Sequence, residues 1–386
     1  MKIAFIHPLK HHVYYSMAGA IGEDRDVVGL FGYYYKGDLI DKILMKTKYK
    51  SLISGYKYSK IDHNVKTSVW IKTLFLLYKV NPEKFEKFYF SQFEKWVIKN
   101  LRNVDCIHVL QDYCNEVIRY AKNRGIRIVY EQIIAYDTQQ FIDKKTCVDS
   151  DTKLLRQKEN FDMADYILMA SGFVKESIEN HYRNVYSNKY HIIPYGASVE
   201  AFHYRKRHRK SDEPLKLLSV ANISKRKGTD YLIEALKCFD SSKVYLTMIG
   251  LPDESGKQMV QEINKVDSVS YVGRVPHSKI NEFFYSNDVF ILPSLAEGSS
   301  LSVYEAIASG MPCIVTNNVG SIITHMKDGI VIPSKDTQAI VGAIDKIYNE
   351  PGLLEFMSEQ TKNTIAEFTW DKYEKKIADF YRENIV

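Results

Sequence analysis

The residues best placed to do chemistry lie in "LPSLAEGSSLSVYEAIASGMP", Leu292 to Pro312, where Glu297 and Glu305 bracket a loop of small residues. The apolar run "DVFILP" ends at Pro293 and "SLAEGSS" follows. The pattern predicts a helix from about Val303 to Ser309, with Gly310 and Pro312 ending it. A helix that starts there presents unpaired N–H groups and the positive end of its dipole. Gly298, Ser299 and Ser300 would let a ligand approach that backbone, and the amides near Ser300, Leu301 and Ser302 suit a diphosphate. A carboxylate beside a phosphate is repulsive unless it binds hydroxyls or a cation. Ser302-x-x-Glu305 has the spacing of a capping box, which gives Glu305 an ordinary alternative role. Glu297, in the loop, has no comparable alternative. Phosphate in the middle with a hydroxyl-bearing ring beside each carboxylate describes a nucleotide sugar. Upstream, Lys225, Arg226 and Lys227 crowd the start of the helical stretch "GTDYLIEALKCF". Three cations there oppose the helix dipole, so a bound anion is expected beside them.

These residues need strands to carry them. "KIAFIHP" (2–8), "DCIHVL" (105–110), "IRIVYEQ" (126–132) and "YILMAS" (166–171) read as buried strands in the first half. "LKLLSVA" (215–221), "KVYLTMIG" (243–250), "VSYVG" (269–273), "DVFILP" (288–293), "PCIVT" (312–316) and "GIVIP" (329–333) do so in the second. Helical patterns lie between them, so the expectation is α/β, with two parallel sheets built from βαβ units. In such sheets ligands bind beyond the carboxyl ends of the strands. At 386 residues the chain suits two domains. The charged run "HYRKRHRKSDEP" (203–214) reads as a solvated linker between them.

Composition narrows the class. Five cysteines, Cys106, Cys114, Cys147, Cys238 and Cys313, form no Cys-x-x-Cys pair, which suits a reducing cytosol and argues against a structural zinc site. No apolar run reaches the length of a membrane span, so the expectation is a cytoplasmic protein. Residues 1–100 hold 17 Lys and Arg against 9 Asp and Glu, a balance of +8, whereas the net charge of the whole chain is +6. Aromatic residues crowd the same part, in "TSVWIKTLFLLYKV" and "FEKFYFSQFEKWVIKNL". Two amphipathic helices with wet lysines explain this; a surface that touches anionic membrane is the sharper reading. No nucleic-acid motif is present, and no G-x-G-x-x-G follows the first strand to suggest NAD.

Taken in order, "HIIPYGASVEAF", "SVANISKRKGTDYLIEAL", "VSYVGRVPHSKI", "PSLAEGSSLSVYEAIASGMPCIVTNNVGS", "DGIVIPSKD" and "FTWDKYEKKIADFY" resemble the retaining glycosyltransferases of family 4, with their E-x7-E motif and GT-B fold. The resemblance implies two Rossmann-like domains facing across a cleft. These are an acceptor domain at 1–203 and a donor domain at 204–369, with a C-terminal helix at 370–386 crossing back to the first. It implies that Lys227 contacts the donor diphosphate, that Glu297 holds the hydroxyls of the donor sugar, and that Glu305 holds the ribose. It gives Ser300 and Leu301 backbone contacts to phosphate, turns Val272 to Arg274 towards the base, and has Gly250 allow close approach. The chain departs from the family in having Ala221-Asn222 where Gly-Arg is usual, so that either Arg226 or Asn222 must serve the missing arginine. Thr324 stands where a glutamate is usual. No histidine follows "IRIVYEQII", where Glu131 and Gln132 are the nearest polar residues. His7, His11, His12 and Glu131 are the acceptor-side candidates.

The expected activity is sugar transfer from a nucleoside diphosphate sugar to a glycan or lipid-linked acceptor, in bacterial surface polysaccharide synthesis. Neither metal nor other cofactor is expected, because cations and amides carry the charge. Lys227, Arg226 and Glu297 are the expected catalytic group. A sugar-nucleotide epimerase and a non-catalytic partner subunit of the same fold are the alternatives.

Overall fold

The computed structural model describes residues 1–9, 12–21, 26–47, 58–138 and 149–385. His11 and Cys147 lie outside these. Two sheets organise the chain. The first contains β1 (Lys2–His7), β2 (Asp26–Phe31), β3 (Val65–Lys66), β4 (Cys106–Leu110), β5 (Arg127–Gln132), β6 (Tyr166–Met169) and β7 (Tyr190–Ile192), in the order β3-β2-β1-β4-β5-β6-β7. The second contains β8 (Leu215–Val220), β9 (Val244–Ile249), β10 (Val269–Gly273), β11 (Val289–Leu292), β12 (Cys313–Thr316) and β13 (Gly329–Ile332), in the order β10-β9-β8-β11-β12-β13. Every pairing is parallel, for example Ile3 opposite Cys106 and Phe290 opposite Leu218. The order reverses beside β1 and beside β8, and such switch points open a crevice for ligands at the strand ends. The α/β expectation of two parallel-sheet domains is met.

Sequence patterning missed β2, β3 and β7. Gly29 interrupts the β2 pattern, and β3 and β7 are edge strands of two and three residues. Strands this short carry almost no periodic signal.

The two domains are joined twice, side by side. The amide of Ala197 donates to the carbonyl of Phe368 at 2.9 Å, and Ala197 bridges Thr369 in parallel. Beyond this point the helix Trp370–Asn384 returns to the first domain and packs on the helix Val13–Ile21, where the hydroxyls of Ser16 and Tyr373 lie 2.8 Å apart. Tyr195, Phe202, Tyr304 and Ile377 belong to one apolar cluster that runs through both domains.

Most of the run 203–214 is exposed, as expected of a solvated linker, but two of its arginines are not. Arg207 and Arg209 are buried. Arg207 Nη2 donates to the carbonyls of Phe284 and Ser309, both at 2.9 Å, near the C-terminal ends of two helices. Arg209 Nη1 donates to the carbonyl of Glu213 at 2.6 Å. Arg209 Nη2 also donates to the carbonyl of Tyr348, near the end of the helix Thr337–Asn349. Helix C-termini expose carbonyls and negative dipole ends, so the Nη groups of a buried guanidinium find acceptors there, whereas Nε of both arginines has none among the described residues. Charge in the sequence signalled solvent, but the partners were backbone carbonyls that only the fold brings near.

Candidate functional site

The ends of β10, β9, β8 and β11 stand in a row and carry most of the singled-out residues. Val272 and Arg274 flank the end of β10, and the amide of Gly250 donates to the carbonyl of Gly273 at 2.9 Å. Gly250 has φ +149°, and a Cβ there would sit 1.8 Å from the carbonyl oxygen of Ala221. Only glycine lets the end of β9 pass this close to the Ala221-Asn222 turn. After β8 the chain forms a 3-10 turn over Lys225–Lys227, and the Ser224 hydroxyl accepts from the Lys227 amide at 3.3 Å. The helix that follows is Thr229–Leu236.

The loop after β11 meets that turn. The amide of Leu295 donates to the carbonyl of Arg226 at 2.8 Å, and the amide of Glu297 to the carbonyl of Asn318 at 2.9 Å. These bonds fix both loops, and their side chains converge on one carboxylate oxygen. Arg226 Nη1 lies 2.5 Å and Lys227 Nζ 2.6 Å from Glu297 Oε1. Arg226 Nη1 also donates to the carbonyl of Ala296 at 2.9 Å. Burial pulls the Lys227 ammonium below its ordinary pKa; Glu297 opposes that shift and Arg226 adds to it. Two cations on one carboxylate leave a surplus positive charge in a low-dielectric setting. A phosphate would meet that surplus.

The helix Leu301–Ala308 begins two residues before the expected start. Ser300 is its N-cap, and no side-chain cap bond is made. The capping box of Ser302 and Glu305 therefore does not form: Ser302 lies inside the first turn, and its hydroxyl is 3.1 Å from that of Ser300. The Val303 amide donates to the Ser300 carbonyl at 3.0 Å, which leaves the amides of Leu301 and Ser302, ahead of it, as the ones that point out of the helix start. Leu301 is exposed, and Glu305, four residues on, shares its face. Ser299 is committed elsewhere, its hydroxyl 2.8 Å from that of Tyr304.

The acceptor-side candidates have a different fate. His7 is buried, and its Nδ1 accepts from the Leu9 amide at 3.0 Å. Burial drives its pKa down to about 4. Glu131 is buried between His12 and His108, with His108 Nε2 at 3.0 Å from its Oε2. Burial pushes the Glu131 carboxyl up, but the two imidazoles outweigh this and hold it below the usual range. His108 Nδ1 in turn lies 2.8 Å from the Tyr381 hydroxyl on the returning C-terminal helix. Glu131 thus belongs to a network inside the first domain rather than to its surface.

Sequence reasoning missed the first-domain residues that grip the donor-side loop. The Ser171 hydroxyl donates to the carbonyl of Gly298 at 2.5 Å, and the Ala135 amide donates to that of Glu297 at 3.3 Å. A Cβ on Gly298 would lie 1.7 Å from the carbonyl oxygen of Ile133. The Gln111 side chain holds this facing loop by accepting from the amides of Ile133 and Ile134 at 3.1 and 3.0 Å. Ser171 ends the run "YILMAS" and caps the next helix, the strand-end position that could have flagged it.

Comparison with known proteins agrees with this geometry. Residues 200–364 match the family model of glycosyl transferases group 1. The amylovoran biosynthesis glycosyltransferase AmsK of Erwinia amylovora is 29% identical over 175 residues, 41% of this chain and 42% of that protein. The chain spans less than half the length of the curated relatives it matches. Sucrose-phosphate synthase from Thermosynechococcus elongatus superposes with TM-score 0.74 at 17% identity, over 99% of this chain and 98% of that one. HepE from Anabaena, solved in complex with UDP and glucose, superposes with TM-score 0.67 at 14% identity, over 99% of both chains. The chain therefore has the GT-B architecture of these proteins, with its group 1 match confined to residues 200–364.

Proposed function

We propose that the protein is a retaining glycosyltransferase of family 4 that moves a hexose from a nucleoside diphosphate sugar to a glycan or lipid-linked acceptor in bacterial surface polysaccharide synthesis. The observation that carries this reading is the convergence of Arg226 and Lys227 on Glu297, beside the first turn of the helix Leu301–Ala308. Breaking the anomeric bond places negative charge on the leaving diphosphate. Preorganised cations and amides stabilise that charge most in the transition state, and no metal is needed for it. Arg226 takes the place of the arginine that Asn222 lacks, since it already stands beside Lys227 in the cluster. Once the cations turn to phosphate, Glu297 is left to accept bonds from sugar hydroxyls, and Glu305 from the ribose. The leaving phosphate takes the acceptor proton in a front-face displacement, because Glu131 is buried and committed to two histidines. A glycosyl adduct trapped on Glu297 would sink that mechanism. The relation to an amylovoran enzyme and the HepE complex with UDP and glucose support the polysaccharide and nucleotide-sugar assignments.

The test is thermal stabilisation by UDP, GDP, dTDP, CDP and NAD, each in EDTA. Ligand binding to the native state raises the midpoint by mass action. A rise with one nucleoside diphosphate names the base; no rise with any of them refutes the donor site.

A further inference from the structure

Groups from three distant parts of the chain meet in the seam between the domains. The Ser171 hydroxyl donates to the carbonyl of Gly298 at 2.5 Å, and Gly320 closes over both. A Cβ on Gly320, which has φ +61°, would lie 2.1 Å from the Gly298 carbonyl oxygen and 2.5 Å from Ser171 Oγ. Ser171 is also the N-cap of the helix Gly172–Tyr182, where its oxygen accepts from the Val174 amide at 3.4 Å. A hydroxyl has one hydrogen to give, and the Gly298 carbonyl takes it. Capping does not account for this second bond, since an aspartate would cap as well and could not donate.

What the bond does follows from the geometry of the peptide unit. A trans peptide is planar, with its C=O and N–H pointing in opposite directions. Ser171 draws the Gly298 carbonyl towards the first domain, which turns the Ser299 amide away from it. One residue earlier, the Ala135 amide draws the Glu297 carbonyl towards the first domain at 3.3 Å, which turns the Gly298 amide away as well. Gly298 and Ser299 are buried, yet neither amide has an acceptor among the described residues. Buried N–H groups without acceptors are rare in folded proteins. Here two stand in succession, between the Glu297 carboxylate and the first turn of the helix Leu301–Ala308. Successive N–H groups turned to one side form a concavity that binds oxygen atoms.

We infer that Ser171 is a positioning residue for sugar transfer: by holding the Gly298 carbonyl it aims the amides of Gly298 and Ser299 at oxygen atoms of the donor sugar, so the donor site is complete only with the first domain in place. The use in sugar transfer rests on the proposed function; the hold on the loop does not. The diphosphate, met by Lys227 and the amides of Leu301 and Ser302, depends on Ser171 less than the sugar does. The signature of the role is therefore a fall in kcat with little change in nucleotide affinity.

The test compares Ser171→Ala, which loses cap and donor, with Ser171→Asp, which keeps the cap and loses the donor. A cavity of about 210 Å³ lies beside Ser171, lined in part by Gly172, Thr316, Asn317 and Ser321, and leaves room for the carboxylate. The full chain is used, with UDP and UDP-glucose as probes; if only another nucleoside diphosphate stabilises the wild type, that nucleotide and its glucose conjugate replace them. Ser171→Asp should keep the wild-type melting midpoint, bind UDP within about twofold of the wild type, and release UDP from UDP-glucose about tenfold more slowly, the loss expected when a buried carbonyl loses its donor. Ser171→Ala should show the same kinetics with a lower midpoint. Without nucleotide, exchange of the Ala135 amide should accelerate in both variants. Wild-type turnover by Ser171→Asp would make the serine a helix cap and overturn the inference. Turnover and UDP affinity falling together, or unchanged Ala135 exchange, would overturn it too. A wild type that binds no nucleoside diphosphate, with Ala135 exchange accelerated in both variants, would keep Ser171 as the residue that holds the loop and discard the donor site.

Discussion

Replacing Lys227 by methionine and Glu297 by glutamine should move nucleoside diphosphate affinity in opposite directions. Both cations lie within 2.6 Å of one Glu297 oxygen, and both partners of the Lys227–Glu297 pair are about nine-tenths buried. Lys227→Met keeps the length of the side chain and removes the charge. A preorganised donor at such a site contributes roughly 3–4 kcal/mol, so the diphosphate should bind a hundredfold or more weaker. Glu297→Gln acts on the competitor. Bonds to a charged group are worth about 1.5–3 kcal/mol net, and in the wild type a diphosphate must draw at least one cation from the carboxylate. Freeing the cations should tighten nucleoside diphosphate binding about tenfold while sugar transfer falls, because the hydroxyl acceptor is gone. The unliganded proteins should differ as well. Glu297→Gln leaves two cations without their anion and should lower the melting midpoint more than Lys227→Met, which leaves Glu297 paired with Arg226. Titration calorimetry with the stabilising nucleotide, beside melting curves, reads both quantities. If both substitutions weaken binding, or neither changes it, the cluster is a structural ion pair and the diphosphate lies elsewhere.

Gly298→Ala should hold the domains apart, because its Cβ would meet the Ile133 carbonyl oxygen at 1.7 Å. Exchange of the Ala135 amide should accelerate and transfer should fall, and unchanged exchange would refute the contact. His7→Asn tests a pH dependence. His7 has its pKa lowered to about 4 from an ordinary 6.5, so the unfolded chain binds the proton first as pH falls. Its stabilising contribution is complete above pH 6.5 and is lost on acidification towards pH 4, by about 3 kcal/mol. The Asn variant should lose less stability than the wild type between pH 6.5 and 4 in urea titrations, and parallel pH profiles would show that His7 does not titrate in that window.

The donor half was legible because its signals are local. Strands β11, β12 and β13 of the second sheet are nearly continuous apolar runs closed by turns, since a strand covered on both faces has few polar positions. Glycines, serines and charges at the strand ends stood out against those runs, and the strand order then placed them in a row. Helix caps were harder to read. Ser302 and Glu305 had the spacing of a capping box, but the turn after β11 starts the helix at Leu301, and the spacing goes unused.

The sequence by itself determined the alternation of strands and helices, the two parallel sheets, and the residue types at the end of β11, because hydrophobic periodicity and turn chemistry act within a few residues. Tertiary structure alone decided three things. It paired Arg226 and Lys227 with Glu297, some 70 residues away. It buried Arg207 and Arg209 against helix ends, in a run that is otherwise largely solvent-exposed. It also placed Ser171 and Ala135 of one domain on the loop that carries Glu297 and Gly298 in the other. The reason is common to all three. A charge or hydroxyl in a sequence announces that it needs a partner, but not which one; the partner is chosen when packing brings distant backbone and side chains within about 3 Å.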